Sequence, residues 1–209
     1  MGYPSKEYHS ASFRPSNSDA LNPMPYRGGS GVLPRAVVIG GHTLRRQGAE
    51  PGVALFLCRQ NHAGAIMAEA IVKHLAGGQL RAASAGADPS SPPHPYALEC
   101  LSAHGMARRP LQPRSWREFV GANVPAIRLL ITLCEQESHH CSLPARVQAH
   151  WGMPDPAKVT GSAIDQRLAF EETFVTLNAR IGRLLALPLR RLTDCELSLE
   201  LARMGEAPA

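Results

Sequence analysis

The chain has 209 residues, 44% hydrophobic and 19% charged, a balance typical of one globular domain with tails. Its 22 basic and 17 acidic residues leave a net charge of +5 without any run of five like charges, which favours a solvated basic surface over a nucleic-acid groove. No apolar run approaches the ~18 residues of a membrane span, and the start MGYPSKEYHSASF lacks a signal-peptide core, so we expect a cytoplasmic protein without a membrane partner.

Residues 1–50 are rich in Ser, Pro, Gly and Asn and predict a disordered or loosely docked extension. Inside it, the apolar segment 33–41 predicts an extra edge strand or a docking segment. The main domain is expected over 51–190, and a C-terminal helix with a tail over 191–209.

The first half of the main domain alternates strands and helices. VALFL (53–57) predicts a strand buried on both faces, and 80–86 predicts a second. Between them, an apolar repeat predicts a helix that stops at Gly77-Gly78. A turn-rich loop over 88–95 leads into a helix over 96–105. The residues of the first repeat are Met67, Ala70, Ile71, His74 and Leu75.

The second half begins with a helical turn at 115–119 and a buried strand at 127–133. Residues 134–161 predict a long loop because they are polar and rich in Pro, His and Gly. Ser162 with Asp165, and Thr193 with Glu196, form capping boxes that open two helices, the first ending at Pro188. The first apolar stripe comprises Ile164, Leu168, Phe174, Leu177, Ile181, Leu184 and Leu185. The second comprises Leu197, Leu201 and Met204.

Strands that alternate with helices predict an open α/β fold with a parallel sheet. Ligands of such folds bind at the carboxyl ends of the strands. Cys58 and Cys134 each follow a predicted strand, so topology places both on one rim.

Cys58 opens the loop CRQNHAG before a helix. Backbone N–H groups and the positive end of a helix dipole bind oxyanions and lower a thiol's pKa, which would make Cys58 a nucleophile. A small buried cysteine at a strand end is the competing interpretation.

The segment LCEQESHHC (133–141) holds a second possible function. Cys134 and Cys141 could receive a disulfide from Cys58 by exchange. Alternatively this region binds Zn²⁺ or Cu⁺, although its cysteine spacing differs from common zinc fingers, or it is an exposed loop without chemistry. The candidate ligands are Cys134, His139, His140, Cys141 and His150.

Asp155 lies between Pro154 and Pro156 in HWGMPDPA (150–157). The prolines fix the backbone, so the carboxylate could face the anion site as a general acid. An ordinary Asp-Pro turn explains the same residues.

Together and in this order, these segments resemble the superfamily of low-molecular-weight protein tyrosine phosphatases, and most closely its thioredoxin-coupled arsenate reductases. The family loop is Cys, five residues, Arg, Ser, and then a helix. Cys58, Asn61 and 67–70 (MAEA) match it, as do 84–105, 115–119 and 150–157. Cys134 and Cys141 have the spacing of the reductase redox pair. The resemblance implies a flavodoxin-like, open, mostly parallel four-stranded sheet with helices on both faces.

The resemblance also implies roles. Cys58 would attack the arsenic of bound arsenate, and Asp155 would protonate the leaving oxygen. Cys134 would then attack the Cys58 adduct, and Cys141 would pass the disulfide to a thioredoxin-like reductant. No metal or organic cofactor is implied. The implied anion-binding loop comprises Arg59, Gln60, Asn61, His62, Ala63, Gly64 and Ala65.

Two loop positions depart from the family pattern, because Gly64 replaces the arginine and Ala65 the serine. The arginine would supply a bidentate fork for the oxyanion, and the serine a hydroxyl for the thiolate. Their loss predicts weaker anion binding and a higher pKa at Cys58. Three hypotheses follow: an oxyanion reductase with an altered loop, a non-catalytic relative that binds an anion, metalloid or protein, and a phosphatase.

Overall fold

The computed structural model describes residues 52–89, 92–106, 110–121, 124–134 and 143–206, and the backbone of two earlier strands. The chain divides into two units, 1–47 and 48–209. In the first unit, β1 (Ala36–Ile39) pairs antiparallel with β2 (His42–Arg45) in a two-stranded sheet of their own. The segment 33–41 therefore contains a strand, but that strand is not an edge of the main sheet. The rest of the predicted N-terminal extension lies outside the described residues.

The second unit is built on one parallel four-stranded sheet with the order β4-β3-β5-β6. Its strands are β3 (Val53–Cys58), β4 (Arg81–Gly86), β5 (Ile127–Thr132) and β6 (Ala145–His150). The helices are α1 (Gly64–Leu75), α2 (Pro95–Ala103), α3 (Ala163–Ala186) and α4 (Asp194–Glu206). The predicted open α/β fold is confirmed. None of the described helices is long and apolar enough to cross a membrane.

Side-chain alternation along the strands divides the core in two, as the period of a strand requires. Ala54 and Phe56 face the larger cluster, to which all four α-helices contribute. Leu55 and Leu57 face a smaller cluster, which a 3-10 helix (Trp116–Phe119) packs against. Helical segments thus lie on both faces of the sheet.

Strand β6 corrects the prediction that 134–161 is one long loop. In its sequence, ARVQAH, Val147 is the one residue less than a tenth exposed, because β6 is an edge strand. Such a strand carries little of the apolar signal that marks VALFL. A 3-10 helix (Pro156–Lys158) also lies in this segment.

Two helical stripes were predicted too broadly. Ile164 and Leu168 in α3 are 75% and 56% exposed. The buried stripe begins at Phe170, and a 100° turn per residue puts Leu168 on nearly the opposite side of the helix. In α1, Met67, Ala70 and Ile71 are buried as predicted, but the last turn, with His74 and Leu75, is exposed.

The C-terminal helix α4 is tied to the sheet through Trp151, which is fully buried just after β6. Its indole Nε1 donates to the carbonyl of Leu201 at 2.9 Å, and Arg180 donates to the carbonyls of Trp151 and Gly205. The predicted apolar stripe of α4 is buried in the core, and its residues are Leu197, Leu201 and Met204. This docking holds β6, and with it the start of the Asp155 loop, against the rest of the domain.

Candidate active site

The loop after β3 wraps its backbone around the thiol of Cys58, the last residue of that strand. Asn61 adopts a left-handed conformation (φ 51°), which asparagine tolerates better than most residues. This turn directs the Asn61 N–H to Cys58 Sγ at 3.1 Å. The N–H of Ala65, in the first turn of α1, also faces the sulfur. The loop therefore surrounds the sulfur with backbone donors, as the sequence predicted.

Neighbouring segments hold this loop from outside. The carbonyl of Arg59 accepts from Asp88 N at 2.8 Å, and that of His62 accepts from His94 N at 2.8 Å. Each bond joins the loop to a separate part of the chain between β4 and α2. The peptide groups of the loop are thus fixed in advance, which lowers the cost of orienting them around an anion.

Gly86 makes the closest of these approaches. A Cβ atom built at this position would lie 2.7 Å from the carbonyl oxygen of Arg59 and 3.0 Å from the nitrogen of Asn61. Both are backbone atoms, so no side-chain rotation relieves the clash. The end of β4 therefore has to be a glycine for the loop to keep its position.

We expect Gly86→Ala to lower the free energy of unfolding by about 1–3 kcal/mol, the usual range for an overpacked site. Urea denaturation would measure it. Gly182→Ala is the matched control, because its Cβ meets nothing within 4 Å inside α3, one turn before the helix ends. There the same change should stabilise by about 0.5–1 kcal/mol. Equal effects at the two positions would contradict the close approach.

A buried carboxylate with two partly exposed cations supports the loop. Glu69 of α1 is 3% exposed and accepts two hydrogen bonds from Arg114, each at 3.1 Å, one from Ser84 of β4 and one from Lys73. The Arg114 carbonyl in turn accepts from Gly86 N at 2.8 Å and from the Asn61 side chain at 3.5 Å. Glu69 thus joins α1, β4 and the Cys58 loop. In the sequence, Glu69 stood out only as part of the MAEA segment (67–70), and Arg114 had no predicted role.

One pocket of about 290 Å³ opens at the carboxyl ends of β3 and β5. Cys58, Cys134 and Asp155 all line it, so the structure brings together three of the four residues proposed for catalysis. The fourth, Cys141, lies outside the described residues. The other lining residues are Arg59, Gln60, His62, Ala63, Gly64, Leu133, Met153, Pro154, Pro156 and Lys158.

Cys134 sits against the Cys58 loop. The backbone N–H of Arg59 points to the Cys134 thiol, and a charge on Cys134 raises the pKa of the Cys58 thiol. Burial raises the pKa of Cys134, and Asp155 adds to the rise, whereas the Arg59 N–H and Lys158 oppose it. The second cysteine thus lines the same pocket as the first.

The Cys58 thiol is electrostatically disfavoured as an anion. Burial raises the pKa of Cys58 to about 12, and the charges of Cys134 and Asp155 act in the same direction. The N–H groups of Asn61 and Ala65 oppose the rise without cancelling it. Burial is therefore the largest cause of the raised pKa, and the effect predicted from Gly64 and Ala65 stays a prediction.

Asp155 forms the predicted Asp-Pro turn and also lines the pocket. Its Oδ1 accepts from Ala157 N at 3.1 Å and caps the 3-10 helix, which is the Asp-Pro turn. Its carboxylate also lines the pocket. The peptide hydrogen bond from Trp151 to Thr132 fixes the start of this segment beside β5. A carboxylate held in this way can still present its second oxygen to a ligand.

The loop residues divide into two groups. Arg59, His62 and Gly64 line the pocket with their neighbours, whereas Asn61 and Ala65 are buried behind it and contribute their N–H groups. Lys158 also lines the pocket and was missed, because its position follows from the 3-10 helix after Asp155 and from no motif. Arg59 and Lys158 are therefore the cationic side chains of the described pocket.

The model of the low molecular weight phosphotyrosine protein phosphatase family matches residues 53–194, more than half of the chain. The chain belongs to this family. The match spans the Cys58 loop, Cys134 and Asp155, so the pocket lies within the family domain. The first unit, 1–47, lies outside the match.

Several solved structures resemble this family member. An arsenate reductase in the phosphate binding state is 20% identical over 65% of this chain and 97% of its own, with a TM-score of 0.55. An arsenate reductase in the reduced state is 19% identical, with the same coverages and a TM-score of 0.52. A thioredoxin-dependent arsenate reductase of Corynebacterium glutamicum is 23% identical over 65% of this chain and 61% of its own, with a TM-score of 0.48. At these identities the likeness to the first two structures shows the fold. No curated protein matches the sequence.

Proposed function

We propose that this family member reduces a tetrahedral oxyanion, with arsenate as the first candidate, through a relay of three thiols. The observation that carries the proposal is the shared pocket of Cys58 and Cys134, with the Arg59 N–H against the second thiol. A phosphatase needs only the first cysteine. A second thiol at the same anion loop has a direct use in thiol–disulfide exchange.

The anion would be bound chiefly by backbone donors. The loop N–H groups and the N-terminus of α1 favour a negative charge, and Arg59 and Lys158 add cations at the pocket wall. Gly64 leaves open the position where the family arginine would stand. The expected binding is therefore weaker than in a loop that contains the arginine.

In the first step, the Cys58 thiolate attacks arsenic and an As–O bond breaks, with Asp155 protonating the leaving oxygen. In the second step, the Cys134 thiolate attacks the Cys58 sulfur. The electron pair of the S–As bond passes to arsenic, which falls from As(V) to As(III) and leaves as arsenite. The two thiols supply two electrons and become a Cys58–Cys134 disulfide.

The remaining step regenerates the nucleophile. The Cys141 thiolate attacks the Cys134 sulfur, releases Cys58 as a thiolate and forms a Cys134–Cys141 disulfide. A dithiol reductant of the thioredoxin kind then returns both cysteines to thiols. The role proposed for Cys141 rests only on its separation from Cys134 in the sequence.

A second candidate function is binding without turnover, to an anion, a trivalent metalloid or a protein partner through the same rim. Its support is the Cys58 pKa of about 12, which leaves the thiol protonated at neutral pH, together with Gly64 in the loop. Phosphatase activity would need the same thiolate. Phosphoryl transfer depends almost wholly on positioning and charge stabilisation, so the absent arginine weighs most heavily against it.

The test is arsenite production with thioredoxin, thioredoxin reductase and NADPH. We expect Cys58→Ser to reduce the rate by at least ~10³-fold, because the nucleophile is removed. Cys134→Ser should also stop turnover, whereas Cys195→Ser, on the surface of α4, should retain it. Mass spectrometry of Cys141→Ser after arsenate exposure should find a Cys58–Cys134 disulfide.

Equal rates for Cys58→Ser and the unmodified chain would overturn the proposal. Cys58-dependent hydrolysis of an aryl phosphate without arsenite formation would replace it with the phosphatase. Binding of arsenite or phosphate without turnover of arsenate would favour the non-catalytic alternative.

A further inference from the structure

We propose a second site, a mononuclear centre for Zn²⁺ or a similar divalent transition metal ion, held by Cys100, His104 and Glu171 between α2 and α3. None of the three residues lines the Cys58 pocket. The sequence pattern indicated candidate metal ligands only in the segment from Cys134 to His150. The proposal is independent of the reductase relay.

The three ligand atoms already converge. Cys100 Sγ lies 3.4 Å from Glu171 Oε2, and His104 Nε2 lies 2.7 Å from Glu171 Oε1. One ligand atom from each residue falls within 4.8 Å of the others. Zinc bonds of about 2.0–2.3 Å to O, N and S place tetrahedral ligands roughly 3.3–3.8 Å apart. Side-chain adjustments of about 1 Å would therefore enclose an ion.

The scaffold restricts two of the ligands. Cys100 and His104 are four residues apart, so one face at the end of α2 presents both. The His104 ring stacks on Phe174 with centroids 3.8 Å apart and planes at 13°, which limits the imidazole's orientation. Cys100 is buried, 8% exposed, with Phe170 O at 3.9 Å from its sulfur. A pre-oriented ligand set costs less entropy on binding.

One side of the cluster is open to water. The side chains of His104 and Glu171 are 35% and 44% exposed, whereas the thiol lies beneath them. Three protein ligands with one open position leave the fourth coordination place to water, as in zinc sites that exchange ligands. An ion can also enter from this side.

The donor set selects the type of ion. A thiolate and an imidazole favour zinc, cobalt or copper over magnesium and calcium, which prefer oxygen donors. The thiolate and carboxylate together balance the charge of a divalent cation. Arg167, one turn before Glu171, does not compete for that carboxylate, because it pairs with Glu99 at 3.0 Å and stacks over Tyr96.

Cobalt(II) titration tests the proposal in the full chain. The background variant carries serine at Cys58, Cys134, Cys141 and Cys195, so that Cys100 is the remaining cysteine. We expect a sulfur-to-cobalt charge-transfer band that saturates at one ion per chain and disappears when Zn²⁺ is added. Absence of the band in the folded background variant would overturn the site.

Matched variants identify the other ligands. In the same background, Glu171→Gln and His104→Gln keep side-chain size and polarity and should each weaken cobalt binding by at least ~10-fold. Unchanged binding in both would show that Cys100 binds the ion with other residues, which also overturns the assignment. Thermal unfolding with and without Zn²⁺ provides a second measurement. At the same concentration, zinc should raise the Tm of the background variant more than that of its Glu171→Gln derivative.

Discussion

Replacing Gly64 with arginine is expected to raise kcat/KM for arsenate by about 10²–10³-fold, the range over which one preformed oxyanion donor changes a rate. Gly64 lines the pocket at the first position of α1, beside the loop that would hold the anion. A guanidinium placed there offers two parallel donors to a tetrahedral oxyanion. The gain presupposes the proposed reductase activity.

The structure has room for the Cβ atom from which this side chain would begin. A Cβ atom at position 64 would meet only Leu133 Cδ1 and Met153 Sδ, each at an ordinary 3.9 Å. Neither the backbone nor a rigid ring obstructs it, and the pocket lies ahead of it. The glycine is therefore not required by packing, in contrast to Gly86. Gly64→Arg should therefore change kcat/KM without disturbing the packing of the loop.

Steady-state kinetics with thioredoxin measure the rate, and calorimetry with phosphate, an unreactive oxyanion, measures binding. Gly182→Arg is the control, since it adds the same charge at an open position of α3 and should change neither quantity. Tighter phosphate binding without faster turnover would support the alternative function, in which the protein binds an anion without turnover. Unchanged phosphate affinity in a folded Gly64→Arg variant would show that the pocket is not an anion site of the expected geometry.

The sequence could predict the elements whose physical signal is local. VALFL is buried along its whole length, and the capping boxes at Ser162 and Thr193 are formed by the expected hydrogen bonds. Strand β6 was missed because an edge strand with one deeply buried residue carries almost no periodic signal. Ile164 and Leu168 show that the opposite error also occurs. Their helical spacing predicted burial, but apolar side chains four residues apart need not face the core.

The candidate site also contains some features that the sequence could predict and others that it could not. Parallel topology was sufficient to expect Cys58 and Cys134 at one rim, because the carboxyl ends of adjacent parallel strands meet there. Lys158 and the pairing of Glu69 with Arg114 depend on contacts between distant segments, which no spacing in the chain encodes. The Cys100 cluster was partly visible, since Cys100 and His104 have helical spacing. Glu171, 67 residues beyond His104, required the packing of α2 on α3.

Alkylation of Cys58 by iodoacetamide is expected to accelerate about tenfold for each pH unit from 7 to 10, or about 10³-fold in total, without a plateau. The thiolate is the reactive form, and with the pKa of Cys58 at about 12 its fraction at pH 7 is about 10⁻⁵. Below the pKa this fraction rises tenfold per pH unit. A plateau near pH 8–9 would mean that the loop N–H groups outweigh burial and that the thiol is activated at neutral pH.

The same measurement tests whether the missing arginine contributes to the raised pKa of Cys58. Mass spectrometry reports the Cys58 peptide directly, and labelling of the exposed Cys195 in the same samples confirms that the reagent is active. Gly64→Arg should shift the Cys58 profile to lower pH, because a nearby cation favours the thiolate. The shift should remain partial, since the arginine does not return water to the thiol and burial is the largest contribution. An identical profile in the two proteins would show that the missing arginine does not contribute to the raised pKa of Cys58.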